Sequence, residues 1–133
     1  MSGLVLSCSD GRLHESLLAL QTRLGLDHAD RVAVPGGPAA LLRSEQERRC
    51  LLGWLTPLVP AHAIDTIVLA AHQDCLAYAA ARRVAADERA VIERDLLGAR
   101  EVVRAAFNDV SVSAYFISLE PGGARFGSAE RVD

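Results

Sequence analysis

Short apolar runs that stop at polar punctuation alternate along this chain with stretches of helical period, and that alternation leaves few folds open. Gly3 to Ser7 is brief, apolar and closed by the loop Cys8-Ser-Asp-Gly-Arg12, so it reads as a buried strand. Leu13, Leu17, Leu20 and Leu24 then form one face of a helix, which Gly25 stops in the C′ role. Arg31 to Val34 reads as a second strand, broken by Pro35-Gly-Gly-Pro38. Ser44 and Glu47 have capping-box spacing ahead of a helix with Leu51, Leu52, Leu55 and Leu58 on its apolar side, ended by Pro57 and Pro60. Asp65 to Ala71 is the clearest strand and leads into His72-Gln-Asp-Cys75. An Ala-rich helical stretch follows from about Leu76 to Val84. A longer helix is expected from about Asp87 to Phe107, with Ile92, Leu96, Ala99, Val103 and Phe107 along one side. Val110 to Leu119 is β-branched and aromatic and reads as a strand. Glu120-Pro-Gly-Gly123 is a turn, and Ala124 to about Phe126 returns as a short antiparallel edge.

The expected order is therefore β-α-β-α-β-α-β with a final hairpin. Strands alternating with helices imply an α/β fold with a mostly parallel sheet covered on both faces. The expected strand order is 2-1-3-4 with a short antiparallel edge, in a single domain over residues 1–133. Ligands of such sheets bind at the carboxyl ends of the strands, where crossovers diverge to opposite faces.

Composition removes several function classes. Net charge is −3, so no basic field invites nucleic acid or an anionic membrane. All 14 cations are Arg, which excludes any mechanism that needs a lysine. No apolar run approaches the roughly 20 residues of a membrane span, and the N-terminus lacks the basic region of a signal peptide. Three cysteines, Cys8, Cys50 and Cys75, are an odd count, so a reduced, cytoplasmic setting is expected rather than a disulfide framework. Cys50 has no partner motif and is expected in or near the core. His14, His28 and His62 are expected at the surface.

Cys8, Asp10 and Arg12 follow the first strand, and His72 and Cys75 follow the third. With those strands adjacent, both groups face one cleft. Two thiols and an imidazole suit Zn²⁺, and three protein ligands leave the fourth position open, as at catalytic rather than structural sites. Asp10 could take that position, or be held off by a bidentate pair with Arg12. A phosphate-cradling cysteine nucleophile needs five residues between Cys and Arg; Cys8 and Arg12 have three.

Cys8-Ser-Asp-Gly-Arg12 together with His72-Gln-Asp-Cys75 resembles the β-class carbonic anhydrases, and Val34-Pro-Gly-Gly37 and the final strand and hairpin extend the likeness. The resemblance implies Zn²⁺ on Cys8, His72 and Cys75, with Asp10 and Arg12 as the catalytic pair. The implied reaction is reversible hydration of CO₂ to bicarbonate by zinc-bound hydroxide, zinc lowering the pKa of its water. If Asp10 binds zinc instead, the site is shut. Gly36 and Gly37 would serve turn geometry and let backbone amides approach the substrate. A homodimer or higher oligomer is also implied.

Three departures stand out. Leu76 replaces the family's glycine after the last ligand and is expected to crowd the site or shift the next helix. Pro35 stands where an Asn-Ala turn is usual. Only a few residues precede the first strand, where the family has a helical arm carrying a bicarbonate-contacting Gln. Two alternatives follow: a zinc-binding homologue without turnover, and a hydrolase of CS₂ or COS on the same zinc site.

Overall fold

The computed structural model describes residues 2–79 and 88–133. Five strands form one sheet: β1 (Gly3–Cys8), β2 (Asp30–Val34), β3 (Thr66–His72), β4 (Ser111–Leu119) and β5 (Phe126–Arg131). Their spatial order is β2-β1-β3-β4-β5. The first four are mutually parallel, and β5 pairs antiparallel with β4. The helices are α1 (His14–Arg23), α2 (Ala40–Arg43), α3 (Glu45–Ala61) and α4 (Glu88–Ala106). The α/β architecture and strand order are those expected from the alternation. The antiparallel edge is longer and later than Ala124 to Phe126, because the turn extends to Arg125 and pairing resumes at Leu119 opposite Phe126.

Side-chain alternation splits the core in two. Leu4, Leu6, Ile67, Leu69, Val112, Ala114 and Phe116 face α3 and α4, whose Leu51, Leu55, Ile92, Leu96, Ala99 and Val103 are buried against them. Val5, Val68, Ala70, Tyr115 and Ile117 face α1 through Leu13, Leu17 and Leu20. Consecutive strand residues therefore feed opposite faces, the period-2 rule of a sheet covered on both sides. Helix α1 ends in a Schellman motif: Leu26 N–H donates to Gln21 C=O at 2.7 Å and Gly25 N–H to Thr22 C=O at 3.1 Å, with Gly25 at φ +71°.

Two expectations need correction. Pro57 and Pro60 do not end the third helix, which runs through both to Ala61. The carbonyls they orphan belong to Gly53 and Thr56, two exposed residues, where an unpaired helix carbonyl costs least. Cys50 is exposed, because it lies on the α3 row with Trp54, one position off the buried Leu51 and Leu55. Leu76 opens a 3₁₀ turn to Tyr78; the rest of the expected Ala-rich helix lies at 80–87, outside the described residues.

Candidate metal centre

Strands β1 and β3 are neighbours, so their carboxyl ends deliver Cys8 and His72 side by side. Cys75 arrives after a tight turn at Gln73 and Asp74. Gln73 N–H donates to Ile117 C=O at 2.9 Å, its side-chain oxygen accepts from Leu119 N–H at 2.8 Å, and Asp74 adopts φ +58°. One donor atom from each of Cys8, His72 and Cys75 lies within 4.8 Å of the others. Ligands of a tetrahedral zinc sit about 3.5 Å apart, a spacing that falls within this limit.

His72 is 1% exposed and points its ring at this cluster. Its Nδ1 donates to the Gln73 carbonyl at 2.7 Å, leaving Nε2 as the acceptor nitrogen. Nε2 is buried and has no hydrogen-bond partner. Such an orphan is costly unless something binds it, and a metal ion is the partner this donor set fits. The two thiols lie side by side and shift in opposite directions. Hydrogen bonding from Cys75 holds the Cys8 sulfur well below the usual thiol range against the cost of burial, helped by His72 and the backbone N–H groups of Asp10 and Gly36. The same contact with Cys8, reinforced by burial, pushes Cys75 up. Burial works against the His72 imidazolium, but the nearby Cys8 sulfur and the Gln73 carbonyl raise it overall. The Cys8 sulfur thus acts on the ring through proximity, without an aligned bond to Nε2.

Asp10 turns the chain after β1. Its Oδ1 accepts from Arg12 N–H at 2.9 Å, and the Arg12 guanidinium returns to the same carboxylate through Nε at 3.1 Å and Nη2 at 2.7 Å. This pairing holds the Asp10 carboxyl below its ordinary range and raises the Arg12 guanidinium. In this structure Asp10 is thus paired with Arg12 and lies outside the three-residue cluster. Arg12 also reaches Asp74, with Nη1 3.4 Å from its carboxylate, which ties the two ligand loops together.

Gly36 and Gly37 fall in different places. Gly36, at φ +78°, lines a cavity of about 580 Å³ with Cys8, Asp10, His72 and Cys75. Gly37 is buried against the end of β1. Leu76 also lines the cavity, but its side chain is 86% exposed, so it stands on the rim without filling the centre. Two neighbours were not legible in the motifs. Phe126 packs between the Arg12 guanidinium, 5.0 Å from its ring, and His72, edge-on at 5.1 Å. Arg43 also lines the cavity. No spacing rule announces Phe126, since its place depends on the β4–β5 register.

A family model described as "Putative carbonic anhydrase" matches residues 1–121. A search of curated proteins finds no match. Among solved structures, carbonic anhydrase from Streptococcus mutans superposes with a TM-score of 0.57 at 18% identity, covering 98% of this chain and 81% of that one. The β-carbonic anhydrase CafA of Aspergillus fumigatus gives 0.54 at 17% identity, covering 98% and 74%.

Proposed function

The chain belongs to the family described as putative carbonic anhydrases and has a β-carbonic anhydrase fold, and from that membership we propose that it is a zinc-dependent lyase for the reversible hydration of CO₂ to bicarbonate. The observation that carries this reading is the buried, unpartnered His72 Nε2 beside two convergent sulfurs. Cys8, His72 and Cys75 would hold the ion. Zinc, when bound, supplies Lewis-acid activation of water.

The remaining work belongs to the chain. The Gln73 carbonyl fixes the His72 ring through Nδ1, so that Nε2 faces the ion. Arg12 grips both oxygens of Asp10 and keeps that carboxylate off the metal. Asp10 then accepts a hydrogen bond from the attacking nucleophile and aims its lone pair at CO₂. Phe126 supports both the Arg12 guanidinium and the His72 ring. Gly36 and Gly37 are proposed to bring backbone close to the substrate, with Gly36 the one that lines the cavity. A homodimer or higher homo-oligomer in the cytoplasm is the assembly and setting we propose with this activity.

Stopped-flow CO₂ hydration by zinc-loaded protein tests the reading, with Cys75→Ser as the control. The parent is expected to hold one zinc per chain and to exceed the variant by at least about 100-fold. Equal rates with zinc still bound would replace this reading by a metal-binding homologue without turnover.

A further inference from the structure

The cavity over the metal cluster needs a group that handles a monoanion. A product carrying negative charge must sit beside the Asp10 carboxylate and two sulfurs. Arg12 is poorly placed to offer it a bond. Its Nε and Nη2 are engaged by Asp10 and its Nη1 by Asp74, and it is not among the cavity's lining residues.

Arg43 is placed differently. It closes α2, and its guanidinium is anchored along one edge: Nε and Nη2 donate to the Glu47 carboxylate, at 3.0 Å for Nε, and Nη2 also donates to the Pro35 carbonyl at 3.2 Å. The opposite edge is left over. Nη1 meets no acceptor among the described residues and lies against Gly36, 2.9 Å from where a Cβ on that glycine would stand. Gly36 lines the same cavity as Cys8, His72 and Cys75. Among the described residues that line this cavity, Arg43 is the one arginine.

We infer that Arg43 is an anion-binding residue of the metal cavity, its Nη1 edge receiving the carboxylate-like oxygens of bicarbonate or another small planar monoanion. Glu47 and Pro35 pre-orient the guanidinium, so that little side-chain entropy is lost when the anion arrives. The glycine at position 36 leaves room for that approach. The inference rests on the proposed reading of the site, and it extends that reading to where the anion docks.

Formate, an inert planar monoanion with one C–H proton, is a suitable probe. Saturation-transfer NMR of formate on zinc-treated protein reads binding without turnover. Arg43→Gln is expected to weaken formate about tenfold, with zinc content by elemental analysis unchanged. In the kinetic assay it should raise KM for bicarbonate far more than it lowers kcat. The double variant Arg43→Gln/Glu47→Gln separates Arg43 from the charge of an unpaired Glu47, and its affinity should stay low. Formate binding by Arg43→Gln within twofold of the parent, or recovery in the double variant, would overturn the inference. Absence of CO₂ hydration alongside Arg43-dependent formate binding would overturn the activity reading alone. Active enzyme whose formate binding ignores Arg43 would overturn this inference alone.

Discussion

Gly37 holds the tightest backbone contact beside the cluster. It sits at φ +54°, and a Cβ there would lie 2.6 Å from the Cys8 nitrogen and 2.7 Å from the Ser7 carbonyl carbon. Both neighbours are main chain of β1 and cannot rotate away. Gly37→Ala is therefore expected to cost about 2 kcal/mol or more in denaturant unfolding. Gly53, exposed inside α3 with nothing within 4 Å of a new Cβ, is the contrasting case. Gly53→Ala should stabilise by about 0.5–1 kcal/mol. Tyr78 makes a second residue-scale prediction. Burial, helped by its hydrogen bond to Asp95 at 2.8 Å, raises its phenol above the ordinary value. The folded state then keeps a proton that the unfolded chain releases near pH 10. Tyr78 thus contributes its full stability below that pH and loses it as pH rises towards the folded value. Unfolding free energy should fall by up to about 1.4 kcal/mol per pH unit from this group, and Tyr78→Phe should flatten that part of the profile between pH 9 and 11.

At the scale of elements, α3 shows which local signals were legible. Ser44 caps it as the spacing implied, its Oγ accepting from Glu47 N–H at 3.1 Å. The reciprocal half of the box is absent, because the Glu47 carboxylate turns to Arg43 and to the Ser44 hydroxyl. Ser44→Ala should cost about 1 kcal/mol, measured by chemical denaturation, and would also loosen Glu47. The stop signal misled because proline breaks a helix only where the lost bond has no substitute. At Pro57 and Pro60 the orphaned carbonyls face solvent, and packing of Leu55 with partly buried Leu58 holds the helix together. Cys50 was misplaced for a related reason: an apolar-looking helix has a dry and a wet row one residue apart.

For the molecule as a whole, the proposed zinc would be linked to stability by mass action. Zinc at 100 times its dissociation constant should add about 2.7 kcal/mol. Thermal melts with and without zinc, repeated on Cys75→Ser, check this; the variant should show a much smaller shift. A chelator should return the parent to its metal-free midpoint.

Read alone, the residues determined the candidate Cys–His–Cys set, the strand–helix alternation and hence the sheet order, because periodicity and residue chemistry are local properties. The converging motifs at positions 8–12 and 72–75 were legible for the same reason. Folding alone decided that His72 Nε2 is left without a partner, that Phe126 props the site from the far edge of the sheet, and that Arg43 turns one free edge towards it. Each of those depends on strand register or on the approach of a distant loop. Such placements are set by packing across the whole sheet, and no stretch of neighbouring residues encodes them.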